Sequence, residues 1–254
     1  MALRRAARRG TLPARPVATK ETRVSQTPED YGYQRETWDR ATAEATRSEA
    51  REIFAKVMFL VAVTAGFAAA GAYVGRDLST GWAFACWGGA LVLALAMGFS
   101  KRREEVGALQ LTMLFGLGLL LGLAIGPTLD AYASAENGGE IIAQAAGLTA
   151  LFMAAMGTVG YVTKRDLTWL GRVSFFALLG LIVFGLVAIF VSIPNADLIW
   201  CIGGLIIFAG LTIFDFWRLR RAGQGDVALI ALSIFLDAFN VFLFLLQLLG
   251  GGRD

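Results

Sequence analysis

Val227–Leu249 reads VALIALSIFLDAFNVFLFLLQLL, an apolar run broken by a single ionisable residue, Asp237. It is long enough to cross the ~30 Å hydrocarbon core of a bilayer. No period-two polarity runs through it, so it is a helix and not a barrel strand. Lipid offers backbone polar groups no other partner, which leaves the helix as the only structure this segment can adopt there.

Working outward, six similar runs precede it: Val57–Val74, Gly81–Ser100, Val106–Leu129, Ile141–Thr163, Leu167–Val191 and Leu198–Trp217. The composition agrees, with 56% hydrophobic residues, 17% charged residues and a mean hydropathy of +0.61. A soluble domain needs roughly a quarter of its residues charged. The expected fold is all-α, a polytopic membrane protein of seven transmembrane helices. The expected organisation is a polar basic amino-terminal tail over residues 1–52, disordered in part, a seven-helix domain over 53–250, and a short tail over 251–254.

The tail begins with Arg4, Arg5, Arg8, Arg9, Arg15 and Lys20 and has no acid among them. Pro13, Pro16 and Pro28 discourage early helix, and from Arg40 onward a surface helix can lead into the membrane. Three readings of the basic start stay open: an anchor attracted to anionic lipid, a nucleic-acid arm, and a mitochondrial transit peptide. A signal peptide fits poorly, because no apolar stretch appears before Phe54.

Basic residues fix an expected orientation. Twelve lie before the first span, and Lys101, Arg102, Arg103, Lys164, Arg165, Arg172, Arg218, Arg220 and Arg221 lie at the joints on the same side. Only Arg76 and Arg253 lie opposite. This places the amino terminus in the cytoplasm and the carboxyl terminus outside a cell membrane. In a mitochondrial inner membrane, the alternative, the basic side would face the matrix.

Within the spans, Gly118, Gly122 and Gly126 repeat every fourth residue in FGLGLLLGLAIG, a bare stripe suited to close helix packing. Pro127 follows and is expected to end or kink that helix. Asp215, in GLTIFDFWRLRR, sits near the basic end of the sixth span, three residues from Arg218. Asp237 sits deeper, with Asn240 on the same face. Counting from the helix ends sets the two aspartates roughly two turns apart in height, so tilt or a break is needed to join them. If they meet, two carboxylates in one low-dielectric site resist double ionisation and keep a shared proton. Fully ionised, such a pair would loosen or accept a cation. Two carboxylates fall short of the 6–8 oxygen shell that calcium prefers, so any metal contact at Asp215 and Asp237 is weak or transient.

Enzyme motifs are missing. Histidine is absent, which removes imidazole ligands and His-activated nucleophiles. There is no phosphate-binding G-x-x-x-x-G-K-[ST] loop, and no nucleotide fingerprint follows a strand. Cys86 and Cys201 make no disulfide framework, and Cys201 reads as packing. No catalytic residue and no cofactor are expected. An intramembrane aspartyl protease would need Gly-x-Gly before its aspartate, and Asp237 follows Ile-Phe-Leu.

ALSIFLDAFNVFLFLLQLLG at 231–250 is similar to the closing signature of the transmembrane Bax inhibitor motif family in its bacterial form. FDFWRLRR at 214–221, TKRDLTWLG at 163–171 and GPTL at 126–129 resemble further segments of that family, and together they span about residues 50–250. The resemblance implies seven helices with the last one central. It also implies a pH-sensitive calcium leak governed by an aspartate pair, which falls here on Asp215 and Asp237. It further implies a basic residue near the pair from the end of the second helix, where Lys101, Arg102 and Arg103 stand. The sequence departs from the family pattern at Gln247, where relatives often carry Arg, and at Phe214, where they often carry Tyr. Other members act through quality-control proteases or cell-death partners. The expected partners are therefore the lipid bilayer, calcium and protons, with a membrane protease or another membrane protein as the alternative, and no nucleic acid. A substrate transporter is weakened by the lack of an internal repeat.

Overall fold

A computed structural model describes residues 28–99 and 107–251. Seven helices long and apolar enough to cross a membrane occur among the described residues, and no strand does. They are α1 (Pro28–Val74), α2 (Thr80–Phe99), α3 (Ala108–Ala133), α4 (Gly138–Val162), α5 (Thr168–Phe190), α6 (Ala196–Leu219) and α7 (Val227–Gly250). A single 3-10 turn, Gln224–Asp226, leads into α7. The chain divides between Glu52 and Ile53 into two compact units, the second holding the apolar part of α1 and all of α2–α7.

Two prolines lie within the described helices. Helix α1 is described from Pro28, ahead of Arg40. Helix α3 runs through Pro127 to Ala133. Proline there frees the Leu123 carbonyl, and Gly75, just past the end of α1, lies so near that oxygen that a Cβ on it would stand 2.6 Å away.

Gly118, Gly122 and Gly126 all face α1. A Cβ on Gly118 would lie 2.7 Å from the Thr64 carbonyl, and one on Gly126 would lie 2.8 Å from that of Ala72. At Gly122 it would run into the Ala68 carbonyl. Thr64 keeps its own hydroxyl on the Leu60 carbonyl at 2.7 Å, so this buried seam leaves that polar side chain satisfied.

Helix α7 is the innermost element. Its most apolar window is 56% buried, against 11% in α2 and in α5. It packs against α2, α3, α4 and α6, and Val227, Ile230, Ile234, Val241 and Leu246 are among its fully enclosed side chains. The outer helices instead expose Phe84, Phe99, Phe176 and Phe190. In water such a surface would drive aggregation, whereas in lipid it is the solvated face. The joints before α4 and α6 each turn on an asparagine in the left-handed region, Asn137 (φ 58°) and Asn195 (φ 56°), a conformation asparagine tolerates better than most residues.

Candidate functional site

Two buried carboxylates meet between α6 and α7. Asp215 is 6% exposed and Asp237 is 4% exposed, and the charge of Asp215 acts on Asp237. The helices are antiparallel neighbours joined by the short turn at Gln224–Asp226. Their register follows from two hydroxyls. Ser233 of α7 reaches Asp215 of α6, and Thr212 of α6 reaches Asp237 of α7. Thr212 precedes Asp215 by three residues and Ser233 precedes Asp237 by four. The aspartates are therefore offset by about one helical turn, ~5 Å, and not two. Each helix runs unbroken through its aspartate.

The two carboxylates have unequal surroundings. Asp215 Oδ1 accepts a charge-assisted hydrogen bond from Arg218 Nη1 at 3.0 Å, across one turn of the same helix. Among the described residues, Asp237 Oδ2 is buried without a hydrogen-bond partner. Thr212, beside it, currently sends its hydroxyl to the Met153 sulfur at 3.8 Å, a weak acceptor. A buried polar oxygen left unpaired costs about 1–3 kcal/mol, more when it is charged.

The basic end of α6 is anchored to the joint between α4 and α5. Trp217 Nε1 donates to the Arg165 carbonyl at 2.7 Å. Arg220 Nη1 donates to the carbonyls of Tyr161 and Val162 at 3.1 and 3.4 Å, capping the last turn of α4 with positive charge. In the same joint, the hydroxyl and the amide of Thr168 both donate to Asp166 Oδ1, at 2.6 and 2.9 Å. These bonds hold the Asp166 carboxyl below its ordinary value.

Other residues singled out in the sequence fall as follows. Asn240 Nδ2 donates to the Leu236 carbonyl of its own helix at 2.8 Å. Phe214 packs its ring against Gly171 of α5 and stacks on Trp217, with centroids 5.7 Å apart. Lys101, Arg102 and Arg103 lie outside the described residues. Cys201 is buried in an apolar cluster with Phe208, Val241 and Phe244. Sequence reasoning missed Thr212 and Ser233. Their signal was a hydroxyl one turn ahead of each aspartate.

Among the described residues no group of three or more Cys, Asp or Glu side chains gathers as for a metal ion. The oxygens available to a cation at the pair are those of two carboxylates and two hydroxyls. Neither aspartate lines the recess at the basic end of α6, but Arg218 lines it and also bonds Asp215. The arginine thus links the recess to the pair.

The fold and site define a class, a seven-helix membrane protein whose innermost helix sets an unpaired carboxylate beside a second one from its antiparallel neighbour. The family model described as Inhibitor of apoptosis-promoting Bax1 matches residues 50–254, and the chain belongs to that family. It is 33% identical over 210 residues to the inner membrane protein YbhL of Escherichia coli (strain K12), covering 77% of this chain and 87% of that protein. It is also 33% identical over 177 residues to an uncharacterised protein of Caulobacter vibrioides, covering 65% and 67%. A third relative, PA2604 of Pseudomonas aeruginosa, is 25% identical over 225 residues, covering 84% and 96%.

Proposed function

We propose that this protein is a pH-sensitive cation leak, passing calcium among other cations, gated by Asp215 and Asp237. The observation that carries the reading is the unpartnered Asp237 Oδ2, buried beside a second carboxylate. With one proton between them the carboxylates carry a single negative charge, offset by Arg218, and α6 stays packed on α7. When that proton leaves, two negative charges repel in a low dielectric, the helices part, and a cation is drawn to the oxygens. Arg218 compensates one of the two charges, so Asp237 is the group whose ionisation opens the path. The shell is weak for calcium, which suits transit better than storage. The protein acts without catalysis and without a cofactor.

Its relatives are bacterial and one is named for the inner membrane, which favours the bacterial plasma membrane over a mitochondrial one. The basic end, with Arg218, Arg220 and Arg221, then faces the cytoplasm, as does the amino terminus.

Calcium flux into liposomes holding the purified protein tests this, from about pH 5 to about pH 8, a range that spans the titration of a perturbed carboxylate. Flux should rise with pH in the wild type and lose that dependence in Asp237→Asn and in Asp215→Asn. Flux equal to that of empty liposomes at every pH, with folded protein in the membrane, would sink the leak.

The second reading is a membrane interaction protein that moves no ion and modulates a protease or stress pathway through partners. The Asp215–Arg218 ion pair at 3.0 Å favours it, since a satisfied aspartate can serve as a helix tie alone. On that reading the aspartate variants leave flux unchanged.

A further inference from the structure

The basic end of α6 carries a recess of about 170 Å³ that the gate does not use, lined by Trp217, Arg218, Arg221, Ala222, Asp226 and Ile230. Two of these six side chains are guanidinium groups. Arg221 Cζ stands 3.9 Å from the centroid of the Trp217 ring, a contact that spends the face of the guanidinium and leaves its N–H edge for an anion. Arg218 gives one nitrogen to Asp215 and keeps a third of its side chain exposed. The one acid in the lining, Asp226, accepts the Gly223 amide at 3.4 Å and so is drawn toward its own turn. Among the described residues the lining is net positive, and its apolar part comes from Ile230, Ala222 and the indole.

This recess opens where a membrane-spanning helix leaves the hydrocarbon, the level of the headgroups, and tryptophan is enriched at that level. Guanidinium forks match the oxygens of phosphate and carboxylate alike, and phosphate is the anion that phospholipid headgroups share at this boundary. We infer that the recess receives the phosphate of an anionic lipid headgroup, and that the bound phosphate draws Arg218 away from Asp215. Binding stands on the recess alone. Its effect on flux rests on the leak reading, because loss of Arg218 leaves Asp215 without its cation and shifts the balance of charge at the pair.

The test is binding of fluorescent phosphatidylglycerol to the full-length protein in detergent, with phosphatidylcholine and inorganic phosphate as competitors. Phosphatidylcholine should compete poorly. Arg221→Gln should weaken binding about five-fold, the share of one basic residue at an anionic surface. Arg221→Lys, which keeps the charge and loses the fork, should recover part of that affinity. Arg172→Gln removes an exposed arginine at the start of α5, outside the recess, and should change binding less than about two-fold. Size-exclusion profiles matching the wild type establish that each variant is folded. Equal losses in Arg172→Gln and Arg221→Gln, or no loss in Arg221→Gln, would overturn the site. Displacement of the lipid by millimolar inorganic phosphate would overturn the lipid and assign the recess to a soluble anion. Specific binding together with liposomes that never leak would uphold the recess and defeat the leak.

Discussion

Helices α1 and α3 meet through atoms that carry no side chain, while α6 and α7 meet through side chains that carry charge. At the first contact, Gly118, Gly122 and Gly126 bring backbone against the carbonyls of Thr64, Ala68 and Ala72. Nothing there can gain or lose a proton in the physiological range, so the seam adheres equally at every pH. At the second contact, Asp215 and Asp237 are buried side by side and one oxygen has no partner. On the proposed gating, the glycine seam is the fixed frame of the bundle and the aspartate pair is the part that moves.

The comparison breaks most visibly at Gly122. Gly122→Leu drives a branched side chain into the Ala68 carbonyl, and overpacking of this kind should cost about 3 kcal/mol or more. Size-exclusion and thermal unfolding in detergent should show loss of folded protein at any pH. Gly147→Leu, where an added Cβ meets nothing within 4 Å, should leave the melting temperature near wild type. A smaller effect of opposite sign is expected at the pair. Asp237→Leu replaces an unpartnered buried carboxylate with a hydrocarbon and should stabilise the protein by about 1–3 kcal/mol while abolishing pH-dependent flux. Unchanged or lower stability would mean that Asp237 has a partner in the membrane.

Arg218→Gln comes next. It leaves Asp215 buried without its cation, but the arginine is a third exposed, so the loss should be about 1 kcal/mol. Asp215→Asn combined with Arg218→Gln should restore part of it. Asp166→Asn should be smallest, and its pH dependence has a definite sign. Folding holds this carboxyl below its ordinary value through Thr168. The stabilisation is therefore full above about pH 4, the ordinary carboxylate range, and is lost as the pH falls below it. The melting-temperature gap between wild type and Asp166→Asn should close in acid.

The seven spans were legible because the bilayer imposes one demand, an unbroken apolar length, and Val227–Leu249 and its predecessors meet it. Asp215 and Asp237 were legible as exceptions to that demand. What escaped was register. Counting residues from the two helix ends ignores the 3-10 turn at Gln224–Asp226 and overstates the offset between the aspartates. The glycine stripe was visible, but its mate was not, since periodicity shows that a face is bare and says nothing of which helix meets it. Pro127 does not end α3, which continues to Ala133, because a proline inside a membrane helix removes one bond of the ladder without removing the demand that the rest be made.

The claim at the centre is that the pair holds one exchangeable proton whose loss opens the path. Infrared difference spectra between about pH 5 and about pH 8 on membranes containing the protein test it directly. A protonated-carboxyl band present in acid should vanish as the pH rises in the wild type and be absent throughout in Asp237→Asn. A wild-type spectrum with no such band at any pH, or a band untouched by Asp237→Asn, would contradict the account.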